Sequence, residues 1–332
     1  MEENSTYIME KVREILKKNK IIFNIWNFFY QKKLKKIESL KIKGKYTFID
    51  RKNERENLCI ILAGYKEFLW EDVFERIKKF LPEDFDVCVV SSGLFSEKLD
   101  EICNKNNWSY LYTVENKITL IQNIAINLHS KAKYIYKLDE DMFITRGFFE
   151  NLKETYLKVL KEDRYKPGFV APLININGYC YRRILEKTNL LSKFEEKFGK
   201  AYMDSTPGEK IIEDPEIAKF LWGKDNSELE NLDELSEKFL HDKFEYSICP
   251  IRFSIGAIMF PRETWEKMGK FNVYRGNNIG LDEVQICEFC TISSRPMIIS
   301  ENMLVGHFSY GPQTQKMKNF YNEHRKIFSL KK

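Results

Sequence analysis

The sequence predicts an α/β fold, a mostly parallel sheet flanked by helices, with a helical extension at its N-terminus and a helical insertion past its middle. Three observations carry this. From about residue 57, short apolar runs alternate with stretches of helical spacing. The runs are continuously apolar, as strands covered on both faces are. One of them ends on an acidic triplet, Asp139-Glu140-Asp141, and in open parallel sheets ligands lie beyond the carboxyl ends of the strands.

Leu58 to Ala63 is the first strand and stops at Gly64. Leu69, Val73, Phe74, Ile77 and Phe80 then recur at helical spacing until Pro82. Asp86 to Val90 is a second strand, closed by Ser91-Ser92-Gly93. A helix over 96–106, a strand at Tyr110–Val114, a helix over 117–130 and a strand at Tyr134–Leu138 follow. That order implies right-handed crossovers between parallel strands, and it puts Ala63, Gly64, Ser91 and the triplet at the ligand-binding edge. Phe143–Leu160 reads as helix and Gly168–Leu173 as strand. Residues 178–247 are charged and mostly helical and break the rhythm, so they read as an insertion on the acceptor side of the site. Strand pattern returns over Ile248–Phe260, followed by helices at Arg262–Met268 and Leu281–Cys290 and a strand at Met297–Ile299. The organisation read from this is an extension over 1–56, a catalytic domain over 57–312 and a basic tail over 313–332.

With 332 residues, 43% of them hydrophobic and 31% charged, the chain has a globular composition. Its net charge of +5 is unevenly placed, because residues 1–45 hold twelve Lys and Arg against five Glu. The remainder is mildly acidic, which excludes a general nucleic-acid binder. Over residues 6–40, Ile8, Val12, Ile15, Ile22, Trp26 and Phe29 recur at helical spacing among lysines. Such a basic amphipathic helix lies in a membrane interface, or docks on the catalytic domain or on a second copy of the chain. The longest strongly apolar uncharged run, Ile21 to Gln31, falls short of the roughly 18 residues that span a bilayer. Met1-Glu2-Glu3 opens no cationic leader. Seven scattered cysteines fit reduced thiols, so the sequence places the protein in the cytoplasm, at the inner face of the membrane. Cys287 and Cys290 have no second Cys/His pair at ligand spacing and read as packing residues on a helix.

Three places bear chemistry. Asp139 and Asp141 leave a strand with one residue between them, so in an extended chain both point one way while Glu140 points away. Two such carboxylates suit a hard divalent cation, Mn²⁺ or Mg²⁺, shared with phosphate oxygens; the plainer reading is a solvated acidic turn. Asp282-Glu283 heads a helix after the stretch Arg275-Gly-Asn-Asn-Ile-Gly280. Either carboxylate suits a general base, and either also suits a helix's first turn. His307, in Val-Gly-His307-Phe-Ser, is the one histidine in a glycine-flanked, apolar setting after the last strand. Its imidazole would complete the coordination begun by the aspartates, or simply hydrogen-bond within the core.

The ordered set of apolar strand, Asp-x-Asp, Ser254-Ile-Gly-Ala-Ile-Met-Phe-Pro-Arg-Glu-Thr-Trp265-Glu-Lys-Met-Gly269-Lys-Phe271, Leu281-Asp-Glu-Val-Gln-Ile-Cys287 and a late histidine resembles GT-A fold glycosyltransferases, nearest the large family 2 of inverting enzymes, over residues 58–310. The resemblance implies a Rossmann-like GT-A sheet. It implies transfer of a sugar from a nucleoside-diphosphate sugar, a UDP-sugar foremost, to a glycan or lipid-linked acceptor. In its register Asp141 matches the metal-binding aspartate, and Asp139 supports the ribose or the metal. Gly256 lies in the segment beneath the donor sugar, Gln122-Asn123 matches a pair near the nucleotide, and Glu283 takes the base position, with Asp282 as the alternative. Ser91 stands where many members carry a base-contacting Asp, and Gln285 where an acid is frequent. Two other classes remain: a sugar-phosphate nucleotidyltransferase, for which the single glycine at 64 makes a poor triphosphate loop, and a non-catalytic membrane-surface or scaffold protein.

Overall fold

The computed structural model describes residues 20–276 and 280–330. Residues 6–19 of the expected amphipathic helix, and Asn277-Asn278-Ile279 of the glycine-bearing stretch, lie outside them. Chain contacts divide the molecule into residues 1–43 and 44–332. In the first unit, helix α1 (Lys20–Leu40) runs without a proline or glycine, and Trp26 and Tyr30, one turn apart, stack with ring centroids 5.0 Å apart. Among the described residues no helix is long and apolar enough to cross a membrane.

The second unit is a mixed α/β body with a mostly parallel central sheet flanked by helices. Its strands among the described residues are β1 (Tyr46–Ile49), β2 (Asn57–Leu62), β3 (Phe85–Ser91), β4 (Ser109–Thr113), β5 (Tyr134–Asp139), β6 (Met142–Phe143), β7 (Phe169–Ile174), β8 (Tyr246–Cys249), β9 (Ala257–Pro261) and β10 (Met297–His307). They run β1-β4-β3-β2-β5-β9-β7-β10-β6, with β8 also on β10. The joins β4-β3-β2-β5 and β7-β10 are parallel, whereas β9 runs against β5 and β7. Between the strands come α2 (Trp70–Phe80), α3 (Glu97–Asn106), α4 (Ile118–Leu128) and α5 (Phe148–Lys161). The stretch 178–247 holds α6 (Cys180–Lys187), α7 (Leu191–Phe198), α8 (Lys210–Glu213), α9 (Pro215–Leu221), α10 (Ser227–Glu230) and α11 (Leu232–His241). Then follow α12 (Arg262–Lys267), α13 (Leu281–Ile292), α14 (Thr314–Glu323) and α15 (Arg325–Phe328). Every residue of β2, β3 and β7 is buried, as their unbroken apolar runs require.

Four local features differ from the sequence expectation. Residues 46–49 form an edge strand antiparallel to β4, so the sheet begins ahead of residue 57. The run Ile248–Phe260 splits into β8 and β9, with Pro250 and Gly256 between them. The last strand extends from Met297 to His307, with a register shift between Ser300 and Leu304. Its continuation is masked in sequence by Ser300-Glu301-Asn302, polar residues that are buried: Glu301 Oε1 accepts from Arg183 at 3.0 Å and Ser247 at 2.6 Å, and the Asn302 amide donates to three carbonyls. Residues 313–332 read as a basic tail, yet α14 and α15 pack into the body. Phe328 is fully buried against the rings of Trp222, Tyr321, Phe143 and Phe308. Widely spaced aromatics on two short helices give too little periodicity to be read as a docking face.

Arg76 on α2 is almost fully buried and meets Asp233 on α11 through two parallel hydrogen bonds of 2.6 and 2.9 Å. It thereby ties the insertion to the first crossover helix. Removing the acid would leave a buried guanidinium without its counter-charge, which costs about 3 kcal/mol or more. Asp233→Ala is therefore expected to lower unfolding free energy by about 3 kcal/mol in urea titration, and a loss under about 1 kcal/mol would show that the pair contributes little.

Candidate active site

Beyond the carboxyl ends of β2, β3 and β5 lies a cavity of about 340 Å³, within the ordinary range for small-molecule sites. Its wall brings together residues far apart in the chain: Ala63, Lys66, Lys137, Asp139, Glu140, Asp141, Gly256, Asp282, Glu283 and His307. All three chemistry-bearing places of the sequence therefore face one space.

β5 ends on Asp139, whose carboxylate takes a 2.7 Å contact from Lys137, two residues earlier on the same face of the strand. Lys137 is itself buried, and it also donates to the Ile255 carbonyl at 2.9 Å. Burial raises Asp139 to about 6 even though Lys137 opposes the shift. Asp141 differs. Burial works to raise it too, but the Lys66 ammonium and His307 outweigh burial and hold its carboxyl well below the usual range. Lys66 bonds Asp141 Oδ2 directly, and His307 Nε2 lies 3.4 Å from the same oxygen.

The His307 ring is set from both sides. Its Nδ1 lies 2.8 Å from the Ile176 carbonyl, which can only accept, so Nδ1 carries a proton and Nε2 is the ring nitrogen turned to Asp141. Its backbone N–H donates to Asn175 Oδ1 at 2.7 Å, and its carbonyl accepts from the Trp222 indole at 3.0 Å. Trp222 comes from the inserted stretch, which thus helps to fix the position of His307.

Glu140 does point away from the two aspartates, but into the protein and not into solvent. Its carboxylate accepts from the backbone N–H groups of Gly64 and Tyr65, each at 2.9 Å, and from the Trp70 indole at 2.6 Å. Those bonds fasten the loop after β2, in which Gly64 takes φ +152°, and so present Lys66 to Asp141. Gly256 is needed for a close approach. Its carbonyl accepts from Asp139 N–H at 2.8 Å, and a Cβ there would meet Met142 Sδ at 2.8 Å.

Across the cavity, Gly280 in a left-handed conformation opens α13 and sets Asp282 and Glu283 in its first turn. Asp282 is buried and accepts from Gln122 Nε2 at 2.8 Å. Glu283 contacts Arg252 Nε at 3.0 Å. Burial nonetheless pushes Glu283 up to about 7, with Asp282 adding to the rise and Arg252 opposing it. A carboxylate kept in a first turn only to complement the helix dipole would be held low.

Three residues expected at the donor, Gly64, Ser91 and Asn123, are not on the cavity wall; the Gly64 N–H is turned to Glu140 instead. Asn123 is fully buried and accepts from the Trp265 indole at 2.8 Å and Phe271 N–H at 3.0 Å, so it binds α4 to the segment after α12. Ser91 bonds the Tyr110 hydroxyl at 3.0 Å, and its neighbour Ser92 lines the cavity instead. Gln285 holds the chain at 270–272 by accepting from Asn272 N–H and donating to the Lys270 carbonyl. Sequence reasoning missed Lys66 and Lys137. Lys137 carried a signal, a lone lysine inside an apolar strand on the face of Asp139; Lys66 carried none, because only the fold brings its loop to Asp141.

Part of a donor set for a divalent ion is present. Among the described residues no group of three or more His, Cys, Asp or Glu is arranged around one point. Asp141 and His307 nevertheless present a carboxylate oxygen and an imidazole nitrogen 3.4 Å apart on an open cavity. Two ligands each about 2.1 Å from one ion stand at most about 4.2 Å apart, and an ion shared with a phosphorylated substrate takes the rest from phosphate and water. The residues fit such an ion.

No protein-family model and no curated protein matches this chain. Among solved structures it is similar to the mannosyltransferase PcManGT from Pyrobaculum calidifontis in complex with GDP-Man and Mn²⁺, at TM-score 0.44 and 13% identity, over 81% of this chain and 62% of that one. The chain thus spans less than two thirds of that protein.

Proposed function

We propose that this chain is a divalent-metal-dependent glycosyltransferase of the GT-A type, moving a sugar from a nucleoside-diphosphate sugar to a glycan or lipid-linked acceptor with inversion. The observation that carries this reading is the charge of the cavity. Apart from Glu140, whose carboxylate is turned into the protein, its wall holds four acids, Asp139, Asp141, Asp282 and Glu283, against two lysines, Lys66 and Lys137, with Arg252 beside Glu283. A diphosphate cannot enter so acidic a space without further positive charge, and one divalent ion supplies it.

In this reading Asp141 and His307 hold the ion, and Asp139, held by Lys137, supports it or the ribose. An ion held there would supply the positive charge that offsets the leaving diphosphate. Glu283 takes the proton of the acceptor hydroxyl, whose oxygen bonds to the anomeric carbon as the bond from that carbon to the diphosphate oxygen breaks. Arg252 keeps the Glu283 carboxylate turned towards the cavity, and Gln122 orients Asp282 beside it. The inserted helices around Trp222 form the acceptor side. Helix α1, with Lys32, Lys33, Lys35 and Lys36 near Trp26 and Phe29, suits attachment at the inner membrane face.

The test is thermal unfolding against a panel of nucleoside-diphosphate sugars with and without Mn²⁺. One sugar nucleotide at about 100 times its Kd should stabilise the protein by about 2.7 kcal/mol, a rise of several degrees, with the metal and not without it. A flat panel under both conditions would overturn the reading.

A further inference from the structure

We propose that Lys66 is an exchangeable cation: it neutralises Asp141 in the free protein and moves to the donor's diphosphate when a divalent ion takes Asp141. This rests on the glycosyltransferase reading above, and it assigns a donor-binding residue which that reading leaves out.

The geometry sets up a competition. The Lys66 ammonium and His307 Nε2 address the same oxygen, Asp141 Oδ2, so an ion held by Asp141 and His307 would compete with the ammonium for that oxygen. The two cations cannot both hold that oxygen at close range. Lys66 is also free to leave. Its side chain is about a quarter exposed, whereas Asp141 is buried in the two-residue turn between β5 and β6. The backbone beneath it does not need to move, because Glu140 anchors the N–H groups of Gly64 and Tyr65 and the Leu69 N–H bonds the Lys66 carbonyl at 2.9 Å. Only the four-carbon stem rotates, over the same cavity.

Charge gives the direction. With Lys66 on Asp141 the metal-free site is locally balanced, and the loop and triplet are held together. An ion at Asp141 displaces the ammonium, which would then be a positive charge with no partner beside an incoming diphosphate. Lys137 cannot take this part, since it is buried between Asp139 and the Ile255 carbonyl. The exchange couples the two ligands: metal binding works against Lys66, and diphosphate binding draws Lys66 away and so favours the metal.

The experiment uses the full chain and Lys66→Met, which keeps the stem and removes the charge. Mn²⁺ binding alone is read by electron paramagnetic resonance. Binding of UDP, GDP and CDP at saturating Mn²⁺ is read by calorimetry. Loss of the competitor should tighten Mn²⁺ binding to the free variant roughly tenfold, while affinity for the nucleotide that the wild type accepts falls roughly tenfold or more. Lys66→Arg should keep nucleotide affinity within a few-fold of wild type. A purely structural lysine would move both affinities down together, and that outcome overturns the proposal, as does unchanged Mn²⁺ affinity in the Met variant. If the wild type binds no nucleoside diphosphate with Mn²⁺, the glycosyltransferase reading falls. If it binds one and Lys66→Met shows no opposed shift, only the exchange falls.

Discussion

Asp141→Ala is expected to abolish metal-dependent nucleotide binding, with affinity for the diphosphate falling at least about 100-fold in calorimetry at saturating Mn²⁺. The size follows from convergence on one oxygen. Asp141 Oδ2 is met by Lys66 and lies 3.4 Å from His307 Nε2, so its removal takes away the shared ligand and leaves the imidazole alone. Folding should survive. Lys66 is partly exposed and regains water, and the Asp141 backbone still accepts from Phe308 N–H at 3.0 Å through its carbonyl. Far-UV circular dichroism and the melting temperature of the metal-free variant check this. Tight nucleotide binding by the variant without metal would sink the mechanism, because it would mean that the lysines alone carry the diphosphate.

The fold class was legible because its signal is local and repeated. Continuous apolar runs such as Leu58–Leu62 and Val87–Val90 can only be covered strands, and helical spacing between them fixes the crossovers. The sheet's other half was harder to read. Its ladders are antiparallel or bulged, and β10 hides buried polar residues, Glu301 and Asn302, whose partners come from elements up to 118 residues away in sequence. The site was legible where one strand and the turn after it deliver groups to one edge, as β5 does with Asp139 and its turn with Asp141. It was not legible where two loops meet. Nothing near Lys66 in sequence points to Asp141, and nothing near Trp222 points to His307. Asn123 shows the opposite failure: a polar residue beside an expected ligand reads as binding, whereas burial turns it into a joint for Trp265 and Phe271.

Glu283→Gln is expected to leave donor binding within a few-fold of wild type and to lower transfer by about 10² to 10⁴-fold, the usual contribution of a positioned general base. Gln keeps the shape beside Arg252 but cannot take the acceptor's proton. If Asp282 were the base, transfer by this variant would survive within about tenfold, and Asp282→Asn would abolish it instead. With Glu283 at about 7 in the free protein, wild-type kcat/KM should rise about tenfold per pH unit below 7 and level off above it, since the base must be ionised. The same burial has an opposite effect on stability. Burial raises this acid's pKa on folding, so between the ordinary carboxylate range and about 7 the folded state binds more protons than the unfolded one. Stability therefore falls as pH rises through that window and is flat above it. The variant lacks this penalty, so in metal-free protein its advantage over wild type should grow from near zero at pH 4.5 to at most about 3 kcal/mol at pH 8. Asp139, also raised by burial, is common to both proteins and cancels in the comparison. Melting curves at pH 4.5, 6 and 8 measure the difference. Parallel curves would mean that Glu283 is solvated in the free protein and not poised for proton transfer, whereas a gap that opens with pH would tie the loss of transfer to the same buried carboxylate that costs the fold its stability.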